Sequence, residues 1–209
     1  AMKIFIVDYG VGNIGSLVNM LRRITDAQVE LVKELSAVQT GDKVILPGVG
    51  NFGFAMRKLN ELDLSNALRN LAKNPGVQML GICLGAQLLL DSSEEAKEPG
   101  LGIVAGHCKR FDKSQLPSEL RVPHMGWADV TWNEHPLCFD LAIDTRYYFV
   151  HSYHMIPKSA ENELFYAEHG DRYCAGIVRD NVIGVQFHPE KSHRFGMELL
   201  KSFVNWKIA

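Results

Sequence analysis

Three short apolar runs, Lys3–Asp8, Lys43-Val44-Ile45-Leu46 and Val77-Gln78-Met79-Leu80-Gly81-Ile82, each break off at a glycine-bearing turn and give way to apolar residues at helical spacing. After the first come Tyr9-Gly10-Val11-Gly12-Asn13 and then Ile14, Leu17, Val18, Leu21 and Ile24. After the second come Pro47-Gly48-Val49-Gly50-Asn51-Phe52-Gly53, a helical set at Phe54, Met56 and Leu59, and another at Leu64, Ala67, Leu68 and Leu71. The first turn lacks full G-x-G-x-x-G spacing, and no acidic residue ends the next strand-like run, Gln28–Lys33, so a dinucleotide site is set aside. Strands apolar throughout, rather than on alternate residues, are strands covered on both faces. The chain is therefore expected to be α/β, with a mainly parallel central sheet and helices on both faces.

From Leu101 onward the pieces are shorter: Leu101–Ala105, Ala128–Trp132, Arg146–Val150, Leu164–Glu168, Tyr173–Arg179 and Val182–Phe187. The last two are joined by the short polar connection Arg179-Asp180-Asn181, so antiparallel strands are expected in this half. Phe195–Trp206 carries Met197, Leu199, Leu200, Phe203 and Val204 at helical spacing and should pack back on the sheet. No repeat, low-complexity stretch or linker interrupts the 209 residues, so a single domain spanning 1–209 is expected.

Charge excludes one class of partner. With a net charge of -2 and the lysines and arginines scattered, there is no electrostatic footprint for nucleic acid. No apolar run is long enough to span a membrane, and Lys3–Asp8 follows the first residues without a signal-peptide pattern. Cys83, Cys108, Cys138 and Cys174 are far apart and contain no CxxC pair, which argues against both a disulfide framework and a zinc site and favours the cytoplasm. The eight histidines show no metal-ligand spacing, so neither a metal nor a cofactor is expected.

Two segments suggest chemistry. Gly81-Ile82-Cys83-Leu84-Gly85 places a cysteine where a strand-like run meets the helix-like run through Leu90. A sharp strand-to-helix turn of this kind exposes one side chain and crowds its neighbours, which explains glycines on either side. At a helix start the peptide dipoles would favour the thiolate. Alone, the pattern reads more readily as a small hydrophobe at a glycine-rich strand end than as a catalytic cysteine. The strand Val182–Phe187 then runs into His188-Pro189-Glu190. A cysteine nucleophile needs a base to trade its proton, and the base needs a carboxylate to hold its tautomer. In an extended segment the i, i+2 spacing would put His188 and Glu190 on one side of the chain, with Pro189 stiffening it.

Pro47-Gly48-Val49-Gly50, Gly81-Ile82-Cys83-Leu84-Gly85-Ala86-Gln87 and Phe187-His188-Pro189-Glu190 together resemble the class I glutamine amidotransferases. Asp8-Tyr9-Gly10-Val11-Gly12-Asn13, Pro123-His124-Met125-Gly126-Trp127 and His188-Pro189-Glu190-Lys191-Ser192 narrow the resemblance to the family of glutaminase subunits of imidazole glycerol phosphate synthases, over essentially the whole chain. The resemblance implies a latent glutaminase in which Cys83, His188 and Glu190 are catalytic. Val49 or Gly50 and Leu84 would supply oxyanion amides, and Gln87, Ser152 and Tyr153 would bind glutamine. The implied partner is a (β/α)₈-barrel cyclase subunit, forming a heterodimer through Asn13, Met125, Trp127 and Lys191. Glutamine would be the small-molecule substrate, with no nucleic acid, membrane, metal or cofactor involved. Two positions depart from the family's pattern: Ala128 stands where asparagine is usual, and His154 where an aromatic or arginine is usual. They leave open a relative that feeds ammonia to a sugar amidotransferase of surface-polysaccharide synthesis. A stand-alone cysteine hydrolase and a catalytically silent regulatory subunit are further alternatives.

Overall fold

The computed structural model describes residues 1–12 and 14–208. Its first half alternates as expected: β1 (Lys3–Val7), α1 (Gly15–Ile24), β2 (Gln28–Val32), β3 (Lys43–Leu46), α2 (Phe52–Glu61), α3 (Leu64–Ala72), β4 (Gln78–Ile82) and a single helical turn, α4 (Leu84–Gln87). The second half is mostly strand: β5 (Ser92–Ser93), β6 (Gly106–Arg110), β7 (His124–Asp129), β8 (Thr131–Trp132), β9 (Arg146–His151), β10 (Tyr153–Pro157), β11 (Glu163–His169), β12 (Asp171–Arg179) and β13 (Val182–Val185), closed by α5 (His193–Asn205).

Strands run in the order β2-β1-β3-β4-β13-β12-β10-β6-β5, the first five mutually parallel and β12, β10 and β6 joined antiparallel. β7 and β9 form a separate antiparallel pair. Side chains of the central strands alternate between two apolar layers. Ile4, Ile6, Ile45, Leu80 and Ile82 meet Leu17 and Leu21 of α1 and Leu199 and Phe203 of α5. Val7, Val44, Leu46 and Met79 meet Phe52, Met56 and Leu59 of α2 and Leu68 of α3. Every strand of that core is buried on both sides, as its uninterrupted apolar sequence requires.

Two expectations fail for one reason. The helix beginning after Cys83 stops after one turn instead of running to Leu90, and Leu101–Ala105 forms no strand. Leu88, Leu89 and Leu90 are all fully buried, so this segment has no polar face to present to water. Their carbonyls accept instead from the amides of Leu101, Gly102, Ile103 and Val104, which cross over the end of the turn. The strand falls five residues later, at the charged β6, and its neighbour β10 was not foreseen.

The register matters for function. β3, β4 and β13 are adjacent, with Leu46 opposite Gly81 and Ile82 opposite Val185. Their carboxyl ends therefore release the glycine loop, Cys83 and the segment leading to His188 at one edge of the sheet, where ligands of parallel sheets commonly bind.

Candidate active site

Cys83 lies at φ 53° and ψ −113°, a strained conformation for a residue with a side chain. The glycines around it are there for lack of room. A Cβ on Gly81 would lie 2.7 Å from the Gly85 carbonyl oxygen, and one on Gly85 only 1.9 Å from the Leu46 carbonyl oxygen. The elbow is therefore wedged against β3 by main-chain contact. Because α4 is a single turn, it contributes fewer aligned peptide dipoles than the helix read from the sequence would have done.

His188 is placed by main chain on both sides. Its amide donates to the Tyr148 carbonyl at 3.0 Å, and Ser192 Oγ donates to its carbonyl at 2.6 Å while accepting the Tyr148 amide at 2.9 Å. The preceding Phe187 stacks on Tyr147 with ring centroids 3.7 Å apart. The segment is not extended through Glu190, because Pro189 opens a 3₁₀ turn over Pro189–Lys191. This turn, rather than strand alternation, brings Glu190 Oε1 to 2.5 Å from His188 Nδ1. Nε2, the nitrogen that would exchange a proton with sulfur, is buried and has no hydrogen bond among the described residues. Burial alone would lower the imidazole pKa. The nearby Cys83 and the Glu190 carboxylate bonded to Nδ1 outweigh it and raise the pKa to about 10. The imidazolium is thus the form that the Glu190 carboxylate favours.

This arrangement has a consequence for pH dependence. The basic limb of kcat/KM should mark loss of the His188 proton, which Glu190 helps retain. Glu190→Gln removes that support, so the basic limb should move to lower pH and kcat should fall by about 10²- to 10⁴-fold. A pH–rate profile of the assembled enzyme with an unmoved basic limb would remove Glu190 from this role.

Cys83 and His188 share a cavity of about 350 Å³ with Val49, Gly50, Leu84, Gln87, Ser152 and Tyr153. All the residues read as catalytic, oxyanion or glutamine-binding, apart from Glu190 behind the imidazole, therefore line one space. Val49 is 42% exposed, and Gly50 adopts φ +99°, a conformation that favours glycine. Their amides make no hydrogen bond among the described residues. The Leu84 amide differs from the expectation of an open donor: it donates to the Gly48 carbonyl at 3.2 Å. For Leu84 to meet an oxyanion, that carbonyl must first turn away. Tyr9, whose hydroxyl donates to the Pro47 carbonyl at 2.6 Å, anchors the loop just before it.

Several residues of this site were not singled out from sequence. Glu95 and Arg110 reach the cavity from the stretch between β5 and the end of β6, and Glu95 also accepts the Phe52 amide at 2.8 Å. His151 lines the cavity and is tied to Tyr173, whose hydroxyl lies 3.0 Å from His151 Nε2 and 2.9 Å from His124 Nδ1. Burial, opposed by the Tyr153 carbonyl and reinforced by neighbouring histidines, lowers the His151 pKa to about 3. Burial and then His169 lower that of His124 to about 4. Both folded values lie below the ordinary 6.5, so the unfolded chain binds more protons from about pH 6.5 downward and stability falls through that window. Tyr173→Phe should cost roughly 1–3 kcal/mol at neutral pH, because two buried ring nitrogens lose their partner. Urea unfolding measures it, and no loss of stability would contradict the hydrogen bonds.

The residues read as a partner face divide. Met125 (63% exposed) and Trp127 (44%) stand out from β7 rather than filling the core, and Lys191 is exposed beside the His188 turn. Trp127 stacks on His193 at 5.6 Å, with the Arg146 guanidinium 5.9 Å from its ring. Asn13 lies outside the described residues. Of the departures from pattern, Ala128 is half-buried in β7, and His154 stacks on Phe111 at 4.7 Å. A larger cavity, of about 640 Å³, opens at the opposite edge of the sheet, but the guanidinium groups of Arg69 and Arg179 there are bonded to the Leu101 and Ile103 carbonyls. Among the described residues no group of three or more histidine, cysteine or acidic side chains could hold a metal ion, and no helix is long and apolar enough to cross a membrane.

Residues 5–206 match the family described as glutamine amidotransferase class-I. The chain is 42% identical over 202 residues to the imidazole glycerol phosphate synthase subunit HisH 2 of Pseudomonas aeruginosa, covering 96% of this chain and 98% of that protein. It is 43% identical over 205 residues to the subunit HisH of Gloeobacter violaceus, covering 97% and 88%. Among solved structures it resembles a chain of PurLQS from Thermotoga maritima, with TM-score 0.72, 18% identity and 97% of each chain covered. A glutamine amidotransferase crystal structure aligns with TM-score 0.67, 19% identity and coverage of 95% and 96%.

Proposed function

We propose, from the premise that this chain belongs to the class I glutamine amidotransferase family, that it is the glutaminase subunit of an imidazole glycerol phosphate synthase and serves histidine biosynthesis. The observation that carries the site assignment is the shared cavity at the ends of β3, β4 and β13, where one sulfur, one carboxylate-held imidazole and a glycine loop converge. The Cys83 thiolate attacks the side-chain amide carbon of glutamine, and the resulting oxyanion takes hydrogen bonds from main-chain amides of Leu84 and of Val49 or Gly50. The His188 imidazolium gives its proton to the departing nitrogen, ammonia leaves, and a γ-glutamyl thioester remains. Neutral His188 then takes a proton from water, hydroxide adds to the thioester carbon, and sulfur departs with glutamate released. Glu190 holds the ring through both halves. Gln87, Ser152 and Tyr153 hold the substrate, and Glu95 and Arg110 add a carboxylate and a guanidinium that suit the two charges of an α-amino acid.

Ammonia is useful only if it reaches a second site before it is protonated and lost. The chain therefore works as one subunit beside another, and a (β/α)₈-barrel cyclase seated over Met125, Trp127 and Lys191 is the partner this reading assigns. Its setting is the cytoplasm. The Gly48 carbonyl on the Leu84 amide supports latency, since one oxyanion donor is occupied until the loop turns. Glutamine turnover by the isolated chain, and by the chain with a cyclase and its nucleotide ligand, tests this: turnover should rise by at least about 10²-fold on assembly, the scale of one restored oxyanion donor. Equal rates in both states would remove latency, and no glutamine turnover in either would remove the glutaminase.

A further inference from the structure

We propose that Gln186 is a further catalytic residue of this site: its side-chain amide donates to the Cys83 sulfur and is aimed there by a fixed chain of hydrogen bonds that passes through Gln87. The proposal rests on the reading of Cys83 as nucleophile, and it gives the sulfur a donor besides His188.

Gln186 follows β13, with its backbone amide bonded to the Ala175 carbonyl at 2.9 Å, and the residue is completely buried. A carboxamide taken fully out of water is costly unless its donors and acceptor are used. Gln186 Oε1 accepts from Gln87 Nε2 at 2.9 Å, and Gln186 Nε2 lies 3.8 Å from Cys83 Sγ. A carboxamide can present either end, so its orientation needs a fixed reference among its neighbours. The Tyr153 carbonyl supplies it. A carbonyl can only accept, and Gln87 Nε2 approaches it at 3.0 Å, so Gln87 presents its NH₂ group at that end. The second hydrogen of the same NH₂ group faces Gln186, which must answer with oxygen, leaving its own NH₂ group toward sulfur. Exchanging the ends of Gln186 would set N–H against N–H on one side and carbonyl lone pairs against a sulfur anion on the other.

The sulfur then has two different polar neighbours besides the imidazole. The Val150 carbonyl at 4.0 Å suits a thiol, which can donate, and the Gln186 amide suits a thiolate, which can only accept. A donor to the anion assists the reaction twice, when the thiolate is formed for attack and when it is expelled from the thioester. Gln87 thereby acts on the nucleophile as well as on glutamine.

The test uses the full chain without glutamine. Iodoacetamide alkylation is followed at the Cys83 peptide by mass spectrometry, with folding checked by circular dichroism. Gln186→Met, similar in length but without a donor, should slow alkylation at pH 7 by about tenfold, the effect of a hydrogen bond to a charged group. Near pH 10, where thiols ionise regardless, the rates should converge to within about twofold. Gln87→Met leaves Gln186 free to turn and should slow alkylation at pH 7 by a smaller factor, giving a second reading should Gln186→Met not fold. Unchanged rates at pH 7 in the folded variants, or a deficit equally large near pH 10, would overturn the proposal, the latter showing altered access instead. Either failure leaves the glutaminase assignment standing, whereas a chain that alkylates as expected yet never turns over glutamine in any complex would sink that assignment alone.

Discussion

Cys83→Ala should reduce glutamine-dependent synthesis by the assembled enzyme by at least about 10⁴-fold, while synthesis from added ammonium continues at the unmutated rate. The first half follows from the site. Among the described residues lining the 350 Å³ cavity Cys83 carries the only thiol, and removing a nucleophile that acts as a unit with its base typically eliminates nearly all of that unit's effect. The second half follows from the division of labour, since ammonium bypasses the sulfur and meets the acceptor on the partner. The change itself is mild for the fold: alanine removes one sulfur atom at a position already strained at φ 53° and adds nothing to it. Steady-state rates with glutamine and with ammonium, measured on one preparation, decide the matter. Loss of both activities would mean that Cys83 also supports the subunit contact or the acceptor site, and retention of both would displace it as nucleophile.

Gly85→Ala is the complementary experiment and should act on the fold first. In an ordinary helix this exchange is stabilising, because alanine has the higher helix propensity. Here the new Cβ would lie 1.9 Å from the Leu46 carbonyl oxygen and 2.8 Å from its carbon, both main-chain atoms of a fully buried strand. Relief requires the elbow and β3 to part, and β3 is held between β1 and β4. A loss of about 3 kcal/mol or more is expected, with glutaminase activity lost in whatever fraction still folds. Urea unfolding against the unmutated chain measures the first and a glutamine assay the second. A neutral or stabilising result would show that the elbow is not wedged against β3 as described.

The parallel half of the fold was legible because burial on both faces leaves an uninterrupted apolar trace, and Val44, Ile45, Leu80 and Ile82 carry it in plain order. The elbow and His188-Pro189-Glu190 were legible because glycine and proline are placed by backbone need as much as by chemistry. What escaped was whatever a third party decides. β6 reads Gly-His-Cys-Lys-Arg, a sequence with no strand signature, and is a strand because β10 and β5 lie beside it. Arg110, at its end, reaches the cavity only through that pairing. Leu88, Leu89 and Leu90 looked like a helix continuing, and nothing in their own sequence says that residues 101–104 will claim their carbonyls. Glu95 and Gln186 are ordinary polar residues until neighbours more than 40 positions away give them a contact. Even the imidazole–carboxylate pair, read as two side chains on one side of a strand, is made by a 3₁₀ turn.

The contact between the Leu84 amide and the Gly48 carbonyl also bears on how such a chain can change over generations. Both atoms belong to the main chain, so no exchange of side chains deletes either one, and the occupied amide is inherited with the path of the backbone. A lineage could reshape β7 and the exposed tryptophan, and with them the neighbour it meets, while this one main-chain contact persisted unchanged.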